Sequence, residues 1–432
     1  MKTKKYLGRI ILWVLALLPM VLWLFQDLSL ARFSNLQIFI FSLAKIAGLT
    51  GMALFSLTII LSSRLKIFEK LFKGINGVYI NHHFMGGLAF SLLLFHPLLL
   101  ALSYLLISPE SAILFLLSFA YWPRNYGRIA LSIMIVALII TFYINLKYQI
   151  WKFSHKFLGI AYIFAFSHIL FIGSDIAMNP FLKAYFLALG ILAISAFLYR
   201  AVFGKFLVKK FEYVIENIIN LSDYTMEIEM HPVKKELKFL PGQFVFTSFI
   251  GESISKEFHP FSMSSSDSSP LKIAIKELGD YTQKIKGLKK DDKVKIEGPY
   301  GRFNFKNFST KQIWIAGGIG VVPFLSMARS LTSGDSNYKI DLYYSAKNDN
   351  SFAFSNELIQ ISKNNVNLKT VLWQTDKQGF ITAEAIKKTS SEISDCEILI
   401  CGPPLMMTEL KKQFLKLGVK KNKIQTEEFQ LY

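Results

Sequence analysis

Leu, Ile, Phe and Ala dominate the chain up to about Lys205; beyond it, charges recur every few positions, with Gly and Pro between them. The apolar part falls into runs near 8–26, 36–62, 82–106, 127–146, 155–173 and 180–201. Runs of roughly 20 apolar residues match the ~30 Å hydrocarbon core of a bilayer, so the pattern predicts six membrane-spanning helices. Residues 63–80 intersperse charges among apolar positions and predict an interfacial helix, while 108–126, with Trp122-Pro123-Arg124, predict a longer connection. The opening MKTKKYLGR and its apolar sequel imitate a signal peptide, but the run 10–25 is long and no small-residue cleavage site precedes Asp27. A retained first span is expected.

The second half has another rhythm. From 206 to about 305, short β-rich runs (LVKKFEYVIENII, YTMEIEM, QFVFTSFI, LKIAIKEL, KVKIEGPYGRF) are separated by turn residues, which predicts a small antiparallel barrel. From about Ser309 strands alternate with helices, and 312–316, 339–345 and 397–401 are the clearest strands. That alternation predicts an α/β domain with a parallel sheet. The expected fold class is a six-helix membrane α-helical bundle (1–205) fused to an antiparallel β-barrel (206–307) and an α/β domain (308–432).

Charge gives the bundle a direction. Lys2, Lys4, Lys5, Arg9, Arg64, Lys66, Lys70, Lys73, Lys147, Lys152, Lys156, Arg200, Lys205, Lys209 and Lys210 flank one set of span ends; only Arg32, Arg124, Arg128 and Lys183 flank the other. By the positive-inside rule both termini face the cytoplasm, as an even number of spans requires, and the protein is expected in the plasma membrane. The net charge of +19 is thus in good part a topology signal, and no nucleic-acid partner is expected. Two cysteines, Cys396 and Cys401, make no disulfide framework and fit a reducing compartment.

Four of the seven histidines, His82, His96, His155 and His168, lie within the apolar runs. An ionisable group inside a membrane is costly and points to function. The third and fifth spans run parallel, so His82 with His155 and His96 with His168 form one imidazole pair near each face. Fourteen residues separate His82 from His96, about 21 Å along a helix and within ~40° of one face. The thirteen from His155 to His168 turn the second ring by ~140°, so the fifth span must be distorted or tilted. Two stacked imidazole pairs suit low-spin haem iron, each haem clamped between helices. Zinc is disfavoured, because each level offers two ligands and neither Cys nor carboxylate. Satisfied core histidines or a proton relay are the alternatives, and His83, thirteen before His96, is an alternative to His82. Gly86, Gly87 and Gly159 would let a macrocycle approach the backbone.

In the barrel, His259-Pro260-Phe261-Ser262-Met263-Ser264-Ser265 sets hydroxyls beside an aromatic and an imidazole, which suits a flavin ring and its pyrophosphate. In the α/β part, Gly317-Gly318-Ile319-Gly320-Val321-Val322-Pro323 follows a strand and opens a helix, the arrangement that offers backbone N–H groups to a nucleotide pyrophosphate. Cys401-Gly402-Pro403-Pro404 ends a further strand at the same crevice.

Taken in order, these residues resemble the ferric reductase/NADPH oxidase family, a six-span haem core fused to a ferredoxin-reductase-like dehydrogenase. The resemblance rests on the two histidine pairs, HPFSMSS at 259–265, Lys276 with Gly279-Asp280-Tyr281-Thr282, Gly298-Pro299-Tyr300-Gly301, GGIGVVP at 317–323 and CGPP at 401–404. It is closest to stand-alone prokaryotic members, and no calcium-binding or regulatory domain is expected. It implies FAD, NADPH or NADH, and two haem b groups with His82, His96, His155 and His168 as axial ligands. It places His259, Pro260, Phe261, Ser262, Met263, Ser264, Ser265, Lys276, Gly279 and Thr282 at the flavin. Gly317, Gly318, Gly320, Pro323, Ser345, Cys401, Gly402 and Pro403 fall at the nucleotide, and Phe429 or Tyr432 covers the flavin face. Ser262, Cys401 and Phe429 are the residues it places at the chemistry.

The outer connections hold few polar groups, Glu110, Arg124, Asn125 and Asp175, and no acidic cluster for a metal chelate. Oxygen, giving superoxide, is therefore the first expected acceptor, ferric iron the second, and relay to a partner reductase the third. No protein partner is required by the first two. Ser345 and Lys347 point to NADPH with some use of NADH.

Overall fold

Among the described residues, six helices are long and apolar enough to cross a membrane: Leu7–Gln26, Leu36–Leu61, Ile75–Leu105, Trp122–Tyr143, Gln149–Phe171 and Pro180–Val202. They belong to a computed structural model that describes residues 7–26, 34–72, 74–173, 175–222, 224–251, 254, 257–266, 270–331, 337–390 and 392–427. Phe429 and Tyr432, and the topology residues Lys2, Lys4, Lys5, Arg32 and Lys73, lie outside the described residues. The chain divides into two units, Met1–Val208 and Lys209–Tyr432.

In the first unit, α1 is Leu7–Gln26, α2 Leu36–Leu61, α3 Lys66–Phe72 and α4 Ile75–Leu105. Asn35 starts α2 by accepting the Ile38 N–H at 2.9 Å. The interfacial helix expected over 63–80 is shorter than that. Gly74, at φ +112°, separates α3 from α4, and 75–80 belong to the long helix. No Asp, Glu, Lys or Arg occurs from Ile75 to Leu105, and the helix continues through Pro97 to a length of about 46 Å.

Helix α5 (Pro109–Leu117) fills much of the connection before α6 (Trp122–Tyr143). The fifth span is two helices, α7 (Tyr148–His155) and α8 (Phe157–Phe171), joined at Lys156. Helix α9 (Asp175–Met178) precedes α10 (Pro180–Phe197), which runs into a π-helical turn at Leu198–Val202 and then α11 (Gly204–Leu207). Helix α2 packs along α4, and α6 along α8. Trp23, Leu54, Tyr162 and Phe186 are buried in the shared core. Asp175 accepts hydrogen bonds from Lys45 Nζ (2.6 Å) and Trp23 Nε1 (2.7 Å), which ties α1, α2 and α9 together. Gly159, expected from the sequence to let a macrocycle approach the backbone, offers no open face to a planar ligand. A Cβ there would stand 2.0 Å from the Phe197 ring, so this glycine admits a neighbouring helix.

The second unit begins with strands β1 (Phe211–Ser222), β2 (Thr225–Pro232), β3 (Phe244–Ile250), β4 (His259–Ser262), β5 (Leu271–Lys276) and β6 (Lys293–Tyr300), with α12 (Asp280–Lys284) between the last two. Their antiparallel order is β4-β3-β6-β1-β2-β5. The edges meet where Met263 bridges Ile273 and the Ser264 N–H donates to the Lys272 carbonyl at 2.8 Å, so the sheet closes into a barrel.

The α/β part contains β7 (Lys311–Gly317), α13 (Val322–Arg329), β8 (Lys339–Ala346), α14 (Ser355–Asn364), β9 (Leu368–Gln374), α15 (Thr375–Gln378), α16 (Ala383–Thr389), β10 (Glu397–Cys401), α17 (Pro404–Lys416) and β11 (Ile424–Glu427). The parallel strands run in the order β11-β10-β7-β8-β9. Alternate residues face opposite sides: Trp314, Leu342, Tyr344 and Leu399 enter one buried cluster, Ile313, Ile315, Tyr343 and Ile398 the other. The order reverses between β7 and β10, and that reversal places the mouth of the sheet where Gly317 and Cys401 end their strands.

Candidate functional site

The membrane histidines share a hydrogen-bonding scheme. Nδ1 of His82 bonds the Thr58 carbonyl at 2.9 Å, Nδ1 of His96 the Ala44 carbonyl at 2.7 Å, and Nδ1 of His168 the Pro123 carbonyl at 2.7 Å. A carbonyl only accepts, so each of these nitrogens must carry the proton, and Nε2 of the neutral ring keeps its lone pair. This is how proteins orient an imidazole for a metal. His82 and His96 are fourteen residues apart on α4, and their acceptors Thr58 and Ala44 are fourteen apart on α2. Antiparallel helices in one register therefore serve both rings.

Two glycines that the residue pattern did not single out make room for the outer pair. A Cβ on Gly48 would lie 2.7 Å from His96 Nδ1, and one on Gly127 3.1 Å from His168 Nδ1. Each glycine follows its acceptor, Ala44 or Pro123, by four residues, so a side chain there would push the ring off its carbonyl. Within the apolar runs the only signal for them was that they are glycines.

At the inner level the His82 and His155 rings are 6.3 Å apart, centroid to centroid, with planes at 56°. That is about the separation of two imidazoles sharing one metal through bonds of ~2 Å each. Trp151 stacks on His155 at 5.4 Å, and the His155 Nδ1 is buried without a hydrogen-bond partner. His83 packs on Tyr79 at 6.4 Å and edge-on to His82 at 5.7 Å. Gly87 has open space where a Cβ would stand, and Gly86 meets only a Thr58 methyl at 3.4 Å. The donor set fits haem: three imidazoles oriented by carbonyls over two levels, a fourth ring facing His82, and open space beside Gly87.

Near the outer level, Arg128 is committed to structure, donating to the carbonyls of Phe115 (2.6 Å) and Ser118 (2.7 Å) and to Asn125 (2.9 Å). Arg124 lies over the rings of Phe115 (5.1 Å) and Tyr121 (5.9 Å).

In the barrel the structure brings the two expected flavin segments together. His259 on β4 stacks on Tyr281 of α12 at 3.7 Å and bonds Glu257 at 3.1 Å, which sets His259–Ser262 beside Gly279–Thr282. Burial pushes the Tyr281 phenol up to about 12, so it stays neutral in this contact. Phe261 packs on the barrel core, Pro260 and Lys276 sit in the ladder opposite Phe246 and Thr225, and Ser262 and Met263 are buried. Several hydroxyls expected at the cofactor bond within the protein. Ser264 donates to Glu227 at 2.6 Å, Ser265 Oγ accepts the Lys272 N–H at 3.0 Å, and Thr282 accepts the Leu278 and Gly279 N–H groups at 2.9 and 3.0 Å. These side chains shape the loops on which the expected flavin residues stand. Gly279 has nothing within 4 Å of a built Cβ, an open cradle for a cofactor.

At the mouth of the parallel sheet, glycine is required by contact. A Cβ on Gly320 would stand 2.4 Å from the Cys401 carbonyl oxygen, and one on Gly402 3.0 Å from Gly317 Cα. Gly317 itself abuts Pro403, and Gly318 adopts φ +54° with open space beside it. Pro323 sits in the first turn of α13, and Ser345 is buried at the end of β8. This is the shape of a pyrophosphate cradle. Cys401 is corrected: its side chain is fully buried, and burial, with Glu427 nearby, pushes the thiol well above its usual range. A neutral buried thiol is a packing group, so no chemistry is assigned to it.

Residues 47–166 match the ferric reductase like transmembrane component family, 210–304 an FAD-binding domain and 314–412 an oxidoreductase NAD-binding domain. The chain has the ferric reductase/NADPH oxidase architecture. Among curated proteins it is 35% identical over 146 residues to flavohemoprotein A of Dictyostelium discoideum, covering 33% of this chain and 36% of that protein. It is 26% identical over 186 residues to NADH-cytochrome b5 reductase 1 of Kluyveromyces lactis, covering 40% of this chain and 66% of that protein. The chain thus spans only part of the length of each of these relatives. Among solved structures, the FAD/NAD-binding domain of a nitric oxide dioxygenase from Vibrio cholerae aligns with 50% of this chain and 97% of that one, at 21% identity and TM-score 0.46.

Gly320→Ala forces the new methyl into the Cys401 carbonyl. Nucleotide affinity, measured by titration of the FAD-loaded chain, is expected to fall by about tenfold or more, the consequence of losing one close backbone approach to phosphate. FAD content should not change.

Proposed function

We propose that this protein is a membrane NAD(P)H-dependent flavin oxidoreductase that carries electrons through two haems to oxygen on the far side, releasing superoxide. The observation that carries the reading is the set of three imidazoles whose Nδ1–H groups are tied to helix carbonyls, leaving Nε2 for iron. When bound, FAD would supply the conversion of a two-electron hydride into single electrons that haem iron can accept. His82 and His155 would hold the inner haem, and His96 and His168 the outer. The glycine loop 317–320 and Gly402 would bind the pyrophosphate through backbone N–H groups, and β4 with the 279–282 turn would hold the flavin. The basic flanks of the spans support termini and dehydrogenase on the cytoplasmic side of the plasma membrane.

His82, His155, His96 and His168 would occupy the axial positions of the two haems, which would leave a small acceptor to approach from the side of the outer group. Arg124, held over two aromatic rings near the outer pair, offers positive charge where superoxide forms. Ferric chelate is the second reading, favoured by the description of the matched transmembrane family.

The haem assignment predicts reduced-minus-oxidised spectra of two bis-imidazole haems in each chain. His96→Ala or His168→Ala should remove one haem while NADPH still reduces the flavin, and Gly48→Leu should do the same by displacing the His96 ring. Full haem content in His96→Ala overturns the ladder. The acceptor is read from NADPH-dependent cytochrome c reduction in air: suppression by superoxide dismutase is expected. Dismutase-insensitive reduction, with rapid anaerobic reduction of ferric chelate, favours the second reading.

Nucleotide choice depends on Lys347, exposed just past β8, where a ribose 2′-phosphate is recognised in such sheets. The preference for NADPH over NADH in kcat/KM should shrink in Lys347→Ala; an unchanged ratio removes Lys347 from recognition.

A further inference from the structure

Helix α13 touches both cofactor loops. Its N-terminal end follows the glycine loop, and one turn apart near its other end stand Ser326 and Arg329. Ser326 Oγ donates to the Ser265 carbonyl at 2.6 Å and accepts the Gly242 N–H at 3.2 Å. Arg329 Nη1 donates to the Ser264 carbonyl at 2.9 Å and to Glu227 at 2.7 Å. Its Nε and Nη2 hold Glu357 at 2.6 and 2.8 Å. Glu227 also accepts the Ser264 hydroxyl. Two successive carbonyls of the barrel-closing loop therefore hang from one helix of the other lobe.

The attachment is stiff. Ser326, Ser264, Ser265 and Glu227 are all buried, so the bonds to the barrel loop lie away from competing water, while Glu357 holds the outer side of the guanidinium from a more exposed position. Gly242 sits at φ +86°, and a Cβ there would meet the Phe303 carbonyl oxygen at 1.9 Å, so the backbone behind Ser326 has no room to slide. A guanidinium fork serving a carbonyl and two carboxylates fixes direction as well as distance, which a lysine cannot do.

We propose that Ser326 and Arg329 are positioning residues for hydride transfer, with α13 as a strut that sets the flavin loop 263–265 against the nucleotide loop 317–320. The inference rests on the reading of the two lobes as FAD and NAD(P)H sites. In the transfer, the nicotinamide C4–H bond breaks and the hydrogen moves with both electrons to flavin N5. The nucleotide is oxidised and the flavin reduced, and neither Ser326 nor Arg329 exchanges a proton. Because nucleotide binds at one end of the strut and the flavin loop hangs from the other, nucleotide binding also stiffens that loop. Displacement of about 1 Å in such a pair costs on the order of 100-fold in rate.

The test uses the full chain with FAD bound, as Ser326→Ala and Arg329→Lys. The main readouts are anaerobic single-turnover flavin reduction by NADPH and amide hydrogen exchange over 263–266 with and without NADP+, with nucleotide Kd, FAD content and Tm measured beside them. In both variants the hydride rate should fall by about tenfold or more, while nucleotide Kd stays within about twofold of wild type and FAD is retained. Protection of 263–266 by NADP+, present in wild type, should be lost. Glu357→Gln, which loosens Arg329 without touching the loop, should show a smaller loss of the same kind. A lowered Tm with unchanged rate and protection overturns the proposal and leaves the two residues as lobe packing. Rate loss matched by equal loss of nucleotide affinity overturns it too, as does loss of FAD. Failure of NADPH and NADH to reduce the wild-type flavin overturns the reading of the lobes instead.

Discussion

An imidazole N–H inside a membrane needs an acceptor, and here the acceptor is the backbone of the neighbouring helix. A carbonyl has two lone pairs, so one already used within a helix can accept again: Thr58 takes the Ser62 N–H and the His82 ring together. The arrangement of the bundle follows from that bond. It fixes the register of α2 against α4 at two points fourteen residues apart, and it fixes the tautomer that leaves Nε2 basic. It also requires glycine at position 48, where the ring must come close to the backbone.

The fifth span meets the same demand differently. On a continuous helix His155 and His168 would point ~140° apart. The break at Lys156 changes the phase between them, where the Lys156 N–H bonds Phe153 and the Gly159 N–H bonds Lys156, each three residues back. Continuing the register that pairs His168 with Pro123 would set His155 against Val136, but the break takes it out of step. Its Nδ1 has no acceptor, and Trp151 stacks on the ring instead. Alignment with His82 is gained and a carbonyl tether is given up.

In the dehydrogenase unit, backbone and side chains exchange the roles their chemistry first suggests. The hydroxyls of Ser264 and Ser265 face inward, and that of Thr282 bonds its own turn, so all three hold their loops. Shape at the nucleotide mouth comes from glycine backbones packed within contact of one another between β7 and β10. The arginine that links the lobes lies at the far end of the helix that the glycine loop opens, so both cofactor loops are referred to one rigid element.

Much of this was legible in the residue pattern. The length of apolar runs set the six spans because bilayer thickness is a fixed ruler, and period and punctuation separated barrel from α/β lobe because the two sheets bury their faces differently. The spacing of His82, His96, His155 and His168 announced two levels and a distorted fifth span, since rotation per residue is a constant of the helix. What the sequence could not show was anything settled by atoms distant in the chain. The start of α4 at Ile75, the choice of His82 over His83 as the ring facing His155, the use of Gly159 for Phe197, and the burial of the Cys401 thiol all depend on which helix or strand packs opposite. The carbonyls of Ala44, Thr58 and Pro123 are invisible to any reading of side chains, because every residue carries one. Only the tertiary structure decides which of them stands where an imidazole needs it.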